Sequence, residues 1–185
     1  HVHNLSMGEF ERDYAFCQGK YDPPKLAKPA TFKGYVRPNG KVGTRNYIGI
    51  IASVNCSATV VRAIADHFNR GDALKAYPNI DGVLAINHSL GCGMSAGEGT
   101  DILRRTLVGY ATQPNMAAIL FVGLGCEMNQ IAPIVEALGG MEKDALRSLN
   151  IQDVGGTRAA IKMGIEAIEA MLPVAAKAQR SEVDA

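Results

Sequence analysis

The chain has 185 residues, of which 47% are hydrophobic and 20% are charged, so it can form one domain with a substantial core and is not disordered throughout. Its 19 Lys and Arg nearly balance its 18 Asp and Glu, and a net charge of +1 gives no reason to expect binding to nucleic acid or an anionic membrane surface. No apolar run approaches the ~18 residues of a membrane span, and no signal peptide is recognisable at the start.

The cysteines are few and widely spaced: there are 4 of them, beside 20 glycines. Such spacing does not indicate a disulfide scaffold, so we expect reduced thiols and a cytoplasmic protein. The chain begins with residues 1–4, His-Val-His-Asn, and not with Met. We interpret this beginning as a sign that the sequence is part of a longer protein.

Composition divides the chain into segments. Residues 1–19 are short and mixed, and residues 20–45 are rich in Pro, Lys and Arg. Proline removes a backbone donor and disfavours helix at the residue before it, so residues 20–45 are predicted to be an extended basic linker or arm. Residues 46–174 alternate apolar runs with helical periodicity, and residues 175–185 form a polar tail.

Four short apolar runs predict buried strands, at residues 47–54, 82–86, 117–122 and 149–152. Helical periodicity follows each run. Ser57 is the predicted N-cap of the first helix, and the third and fourth helices are predicted to end at Gly139 and near Pro173. The predicted buried face of the second helix comprises Ile102, Leu103, Thr106, Leu107 and Tyr110. This alternation predicts a three-layer, Rossmann-like α/β domain with a mostly parallel sheet.

Three cysteines fall at equivalent positions, because Cys56, Cys92 and Cys126 each lie in the loop after one of the first three predicted strands. Parallel sheets bind ligands at the carboxyl ends of their strands, so the three thiols are expected to converge. A single cysteine is most often a small buried hydrophobe, but three at one position, with His88 and Glu127 nearby, favour a functional cluster.

Thiolate and imidazole ligands suit iron or zinc, and three protein ligands with an open position are typical of a catalytic metal. An iron–sulfur cluster is an alternative, although the spacing is not that of a ferredoxin. Cys17 lies outside the pattern and is interpreted as incidental.

A glycine-rich loop separates the second predicted strand from its helix. Gly91, Gly93 and residues 96–99 would let backbone amides and the helix dipole face an anion such as a carboxylate. The loop lacks the Gly-Lys-Ser/Thr of a phosphate-binding loop and matches the dinucleotide fingerprint poorly, so a nucleotide-binding oxidoreductase is disfavoured. His67, near the end of the first helix, is expected to interact only with the helix dipole.

Several longer motifs resemble the altronate/galactarate dehydratase family. They are FKGYVR at 32–37, GKVGTRNYI at 40–48, VNCS at 54–57, His88 with Gly-Cys-Gly at 91–93, and GLGCE at 123–127 with Asn129 and Gln130. Residues 97–99 and 129–130 favour the altronate branch. Residues 1–4 resemble the end of the SAF-like domain found in fused members. The family's C-terminal Cys-Gly-Gly-Ser-Asp-Gly-like motif is absent, so the tail would lead to a missing C-terminal domain.

The resemblance implies a hydro-lyase that depends on Fe²⁺, Mn²⁺ or another divalent metal and converts altronate to 2-keto-3-deoxygluconate. From the chemistry of that reaction, our hypothesis is that Cys56, Cys92 and Cys126 are the metal ligands and that His88 is an acid/base, with Glu127 as a second acid/base or an orienting group. The implied substrate contacts are Arg37, Arg45, Asn46, Asn55, Ser57, Gly91 and Gly93. His1 and His3 would close the site from the SAF-like side.

Other readings remain open at this point. Galactarate dehydratase and sulfolactate sulfo-lyase are the alternatives among lyases, and a non-catalytic α/β binding module is the alternative of another class. The expected partners are a small sugar acid and the SAF-like and C-terminal domains of the same protein, and a homo-oligomer is not excluded. Without those domains, the fragment is expected to be inactive.

Overall fold

The elements of the fold are given by a computed structural model, which describes residue 28 and residues 30–139 and 143–185, the side chain of Lys143 excepted. The strands are β1 (Thr31–Val36), β2 (Val42–Gly43), β3 (Tyr47–Ala52), β4 (Gly82–Ile86), β5 (Met116–Gly123), β6 (Leu146–Asn150) and β7 (Arg180–Asp184). The α-helices are α1 (Ala58–Arg70), α2 (Glu98–Ala111), α3 (Ile131–Leu138) and α4 (Thr157–Ala175). The predicted segment 1–19 lies outside the described residues.

The central sheet has four strands in the order β4-β3-β5-β6, and every pair is parallel. The prediction of a mostly parallel α/β sheet is therefore confirmed. The strand after β5 lies earlier than predicted, at Leu146–Asn150, because its exposed Arg147 and Ser148 interrupt the apolar run expected of a buried strand.

Helices cover both faces of this sheet, which confirms the three-layer architecture. Side chains alternate between the faces of a strand, so Ile48 and Ile50 of β3 pack in one cluster and Ile51 packs in the other. Helices α1 and α4 contribute to the first cluster, and α2 and α3 contribute to the second. A Cβ at Gly164 of α4 would clash with Ile64, so glycine allows α4 to approach α1 closely.

Two predictions about the helices were wrong in detail. The buried residues of α2 are Thr100, Leu103, Leu107 and Ala111, whereas Ile102, Thr106 and Tyr110 are exposed. Helix α4 continues through Pro173 to Ala175. The other boundaries agree with the predictions, because α1 follows Ser57 and α3 ends before Gly139. No helix among the described residues is both long and apolar enough to cross a membrane.

A small antiparallel sheet in the order β2-β1-β7 joins the two ends of the described unit, residues 31–185. Tyr35 of β1 lies opposite Arg180 of β7, whose guanidinium carbon is 4.6 Å from the ring centroid. Part of the segment predicted as an arm and part of the predicted tail, Arg180–Asp184, are thus strands of one sheet. Their pairing supplies the backbone hydrogen bonds that an isolated arm would lack.

The strand order creates a switch point between β3 and β5. From β3 the chain passes through α1 to β4 on one side, and then through α2 to β5 on the other side of β3. In open α/β sheets, ligands bind in the crevice at the carboxyl ends of the two strands that flank such a point. We call the side of the sheet where β3–β6 end the carboxyl edge, and the opposite side the amino edge.

Candidate active site

The three predicted thiols all lie at the carboxyl edge. Cys56 follows β3, Cys92 follows β4 and Cys126 follows β5, and all three are free and exposed. Two of them therefore flank the switch point between β3 and β5. Their exposure argues against the alternative reading of each cysteine as a small buried hydrophobe.

Backbone hydrogen bonds join the loops that carry the thiols. Asn55 N donates to Leu90 O at 2.9 Å, which ties the loop after β3 to the loop after β4. Met128 N donates to Cys92 O at 3.0 Å, which ties the loop after β4 to the loop after β5. These bonds fix the three loops relative to one another, so the thiols belong to one continuous surface.

The thiols are also close enough to affect one another. The pKa of Cys56 is raised above its ordinary value, first by partial desolvation, then by the Cys92 side chain, and to a lesser degree by charge on Cys126. A second thiolate nearby makes ionisation of the first less favourable. Cys92 and Cys126 thus both contribute to the raised pKa of Cys56, after desolvation.

In chemical type, the donor set fits a soft metal, because exposed thiols are the ligands that iron and zinc accept readily. Within residues 30–139 and 143–185, however, no group of three or more His, Cys, Asp or Glu side chains is arranged so that it could hold one metal ion. Metal binding by Cys56, Cys92 and Cys126 stays a prediction.

Glu127 is a buried carboxylate whose oxygens are already occupied. Its side chain is 2% exposed, and Ser53 Oγ donates to its Oε1 at 2.6 Å. Leu124 N donates to the same oxygen at 3.1 Å, and Gly125 N donates to Oε2 at 2.6 Å. Of the two predicted roles, the geometry favours orientation of the loop after β5 over proton transfer to a substrate.

His88 keeps one ring nitrogen unused. Its Nδ1 accepts a hydrogen bond from Leu90 N at 3.2 Å, so the neutral ring carries its proton on Nε2. Nε2 is shielded from solvent and has no hydrogen-bond partner among the described residues. A buried donor without a partner is costly, which makes His88 a candidate to bind an oxygen of a ligand.

The remaining residues predicted at this edge differ in exposure. Asn55, Gly91 and Gly93 are exposed, and a Cβ at either glycine would meet nothing within 4 Å. Ser57 is fully buried, and its hydroxyl donates to Val54 O at 2.8 Å instead of capping α1 or facing a ligand. The first turn of α2 holds Glu98 and Asp101, whose charges already complement the helix dipole and oppose binding of an anion there.

Three predicted substrate contacts, Arg37, Arg45 and Asn46, lie at the amino edge, away from the thiols. Arg45 and Asn46 directly precede β3, and the six residues of β3 separate the two edges by about 20 Å. The structure does not bring these side chains together with the thiols, and their contact with substrate stays a prediction. Arg45 and Asn46 lie just before β3, whereas Cys56 lies in the loop after it, so the full length of β3 separates them.

Each of these three side chains makes structural contacts. Arg37 Nε donates to Pro114 O at 2.7 Å, and its pKa is lowered by burial. Arg45 Nη1 forms an ion pair with Asp81 at 3.3 Å. Asn46 is fully buried, and its Nδ2 donates to Asn79 O at 2.9 Å and to Ala175 O at 3.1 Å. Its Oδ1 has no hydrogen-bond partner within the part of the chain that the structure describes.

Sequence reasoning missed three polar side chains at the carboxyl edge. Gln152, after β6, donates from Nε2 to Cys126 Sγ at 3.2 Å. Ser53 binds Glu127, and Asn129, which is 2% exposed, donates to Ser53 O at 3.3 Å. Asn129 belonged to a recognised motif but had no assigned role. Nothing in the sequence near Gln152 indicates its contact with Cys126, because the two residues meet only across adjacent strands.

A parallel α/β sheet with helices on both faces defines a domain of the Rossmann-like class. Comparison with protein families identifies it further. Residues 34–176 match the family described as D-galactarate dehydratase/altronate hydrolase, second domain, and the chain belongs to this family.

Curated relatives agree with this assignment. The chain is 32% identical over 156 residues to altronate dehydratase of Escherichia coli, covering 82% of this chain and 30% of that protein. It is 30% identical over 157 residues to altronate dehydratase of Bacillus subtilis, covering 83% of this chain and 31% of that protein. A shorter match is to the (2R)-sulfolactate sulfo-lyase subunit beta of Chromohalobacter salexigens. The identity is 34% over 97 residues, covering 52% of this chain and 22% of that protein. The chain thus spans less than a third of the length of these relatives.

Proposed function

We propose that this chain is the central domain of a metal-dependent sugar-acid dehydratase that converts altronate to 2-keto-3-deoxygluconate by β-elimination of water. The observation that carries the proposal is the set of three exposed thiols on joined loops at the carboxyl edge. The altronate dehydratases among the relatives supply the reaction and the substrate class.

The metal ligands in this proposal are Cys56, Cys92 and Cys126, and the metal is Fe²⁺ or another divalent ion, with an iron–sulfur cluster as the alternative. When bound, it would supply Lewis acidity toward the carboxylate and hydroxyl oxygens of the sugar acid. Three protein ligands would leave a position for substrate, as in other catalytic metal sites. The SAF-like and C-terminal domains of the same protein would supply the rest of the site.

Within this chain, His88 is the proposed catalytic residue. Its Nε2–H has no partner among the described residues and would donate a hydrogen bond to a substrate oxygen, such as the hydroxyl that leaves, while Nδ1 accepts from Leu90 N. Glu127 acts indirectly, by holding the loop that carries Cys126. Asn55 and the backbone amides of Gly91 and Gly93 are the exposed groups beside the thiols that could contact substrate.

Sulfolactate cleavage is the second candidate, favoured by the match to a sulfo-lyase beta subunit. Both reactions remove a group from the carbon next to that bearing the acidic proton, but one releases water and the other sulfite. Galactarate dehydration is included because the family description names it. The substrate therefore has to be determined by assay.

The test uses the complete protein, purified without oxygen and supplied with ferrous ion. We expect keto-acid formation from altronate, and loss of bound iron together with a fall in kcat/KM of about 100-fold or more in Cys92→Ser, because the Lewis acid supplies several kcal/mol of transition-state stabilisation. Galactarate and sulfolactate are assayed in parallel, following keto acid and sulfite. Acid-labile sulfide separates an iron–sulfur cluster from a single ion.

The matched control is Cys17→Ser, which changes the cysteine outside the proposed set and is expected to keep iron and activity. Unchanged iron content in Cys92→Ser would show that the thiol is not a ligand. Failure to convert any of the three acids would reject the lyase proposal and leave a non-catalytic binding module.

A further inference from the structure

Two of the three exposed thiols lie on loops that a backbone hydrogen bond joins. Strands β3 and β4 are adjacent and parallel, so the loops that carry Cys56 and Cys92 leave the sheet side by side. Asn55 N donates to Leu90 O at 2.9 Å, one residue before Cys56 and two residues before Cys92. Adjacent strands lie about 4.8 Å apart, and a disulfide accepts Cα atoms about 4.4–6.8 Å apart. The two cysteines therefore follow a point at which their chains already have a spacing suited to a disulfide.

The side chains of Cys56 and Cys92 also contact each other. Desolvation is the first cause of the raised pKa of Cys56, and the Cys92 side chain follows it, through its charge and through a hydrogen bond. A hydrogen bond that raises the pKa of a thiol stabilises its protonated form, so Cys56 Sγ–H donates to Cys92 Sγ. Cys126 raises the pKa of Cys56 through its charge alone. The contact thus singles out one pair among the three thiols.

The third thiol has a different partner. Gln152, in the loop after β6, donates from Nε2 to Cys126 Sγ at 3.2 Å. In the sheet order β4-β3-β5-β6, this contact lies beside one edge strand, β6, whereas Cys92 follows the other edge strand, β4. We therefore expect Cys56, which follows β3, to pair with Cys92 and not with Cys126.

Both members of the pair are open to small reagents, because both are free and exposed. Nothing packs beside Gly91 or Gly93, where a Cβ would meet no atom within 4 Å. The backbone on both sides of Cys92 thus has room to shift as two sulfur atoms in hydrogen-bond contact close to bonding distance.

We propose that Cys56 and Cys92 form a dithiol pair that a peroxide oxidises to a reversible disulfide. The pair goes beyond the proposed function, because it depends on the contact of two exposed thiols on joined loops and not on a bound metal. Its substrate is a small peroxide, which the exposed position of both sulfur atoms admits.

Hydrogen peroxide is the oxidant in this step. The thiolate of one cysteine attacks a peroxide oxygen, the O–O bond breaks, and a sulfenic acid forms while the departing hydroxide takes up a proton. The thiol of the other cysteine then attacks the sulfenic sulfur, the S–S bond forms, and the sulfenic oxygen leaves as water. Both thiols are oxidised, one molecule of hydrogen peroxide is reduced, and two molecules of water form. A thiol reductant reverses the step by thiol–disulfide exchange.

The disulfide would also affect the proposed metal centre, because the thiolate is the form of cysteine that binds a metal. Oxidation would remove two of the three proposed ligands and stop turnover until a reductant restores the thiols. This consequence rests on the proposed function, whereas the pair itself does not.

The first arm of the test uses the complete protein, reduced, freed of metal and then treated with an equimolar amount of hydrogen peroxide. Remaining thiols are alkylated, and the protein is digested without reductant for mass spectrometry. We expect loss of alkylation at Cys56 and Cys92 and a cross-linked peptide that joins them, lighter by two hydrogen atoms than the separate peptides. Dithiothreitol should reverse both changes.

Matched variants assign the pair. Cys126→Ser changes another exposed thiol of the same edge and should keep the cross-link, because Cys126 raises the pKa of Cys56 only through its charge. Cys92→Ser should abolish the cross-link. A wild-type protein in which Cys56 and Cys92 stay open to alkylation after peroxide, or in which Cys56 joins Cys126, would overturn the inference.

The second arm compares the iron content and altronate turnover of the reduced and the oxidised protein. The oxidised protein, freed of peroxide before ferrous ion is added, should lose iron and turnover, and dithiothreitol should restore both. A disulfide in a protein that keeps its iron and turnover would support the pair and contradict the proposed metal ligands. A reduced protein without turnover would contradict the proposed function, and the cross-linked peptide would still decide whether the pair forms.

Discussion

The two edges of the central sheet both carry polar side chains, but these side chains make different contacts. At the amino edge, Arg37, Arg45 and Asn46 contact carbonyl groups or a carboxylate of neighbouring elements. At the carboxyl edge, the three thiols are exposed and His88 Nε2 has no hydrogen-bond partner among the described residues. The named side chains of the amino edge bind groups of their own fold, whereas the three thiols of the carboxyl edge are exposed to solvent.

This difference shows why a recognisable motif does not by itself identify a binding residue. A guanidinium suits a substrate carboxylate, but it equally suits the carbonyl and carboxylate groups of its own fold. The direction of the parallel strands decides between these uses, because ligands bind where strands end and not where they begin. Four predictions test this assignment of the two edges.

The largest effect on folding is expected for Glu127→Ala. The variant leaves Ser53 Oγ, Leu124 N and Gly125 N without their acceptor in a buried position, which should lower the free energy of unfolding by about 2–4 kcal/mol. Urea unfolding measures the change. Glu136→Ala on α3, which removes an exposed carboxylate, is the control. Unchanged stability together with lost activity would contradict the structural role and support Glu127 as an acid/base.

A smaller effect is expected for Asn46→Ala at the amino edge. The variant removes the donor to Asn79 O and Ala175 O in a fully buried position, at a cost of about 1–3 kcal/mol in unfolding free energy. The turnover of the folded fraction should stay at the wild-type level. Asn39→Ala, in an exposed turn, serves as the comparison. A raised KM without loss of stability would instead place a substrate contact at this edge.

The pH dependence of Cys56 tests the proximity of the thiols. Because its pKa is raised, Cys56 keeps its proton to a higher pH than an ordinary cysteine, so in metal-free protein the midpoint of its alkylation rate against pH should lie above the usual value. Cys92→Ser removes a neighbouring thiol and should lower that midpoint. Mass spectrometry follows the alkylation of each cysteine. An identical midpoint in the wild type and Cys92→Ser would mean that Cys92 does not affect the pKa of Cys56.

The smallest effect is expected for Arg45→Ala. Its ion pair with Asp81 is solvent-exposed, with 57% of the Arg45 side chain accessible, so its loss should cost less than about 1 kcal/mol of unfolding free energy. KM for the sugar acid should not change. Arg70→Ala removes a comparable exposed ion pair, with Asp66, and is the reference. A large rise in KM for Arg45→Ala but not for Arg70→Ala would support the predicted contact of Arg45 with the substrate.

The sequence predicted most of the central domain because its signals are local. A β-branched apolar run predicted β3, and an apolar stripe predicted α1. The edge strand β6 was predicted a few residues too late, at 149–152, because its exposed residues show no clear apolar pattern. The pairing of β1 with β7 was missed because about 145 residues separate the partners, and strand pairing at that distance has no local signal.

The sequence by itself determined the alternation of strands and helices and the placement of one cysteine after each of three strands. Those features depend on periodicity along the chain. Only the tertiary structure decided the strand order, the separation of Arg45 and Asn46 from the thiols, and the contacts of Glu127 and Gln152 with the Cys126 loop. These depend on which strands lie side by side, and hydrogen bonding and packing across the whole sheet select that arrangement.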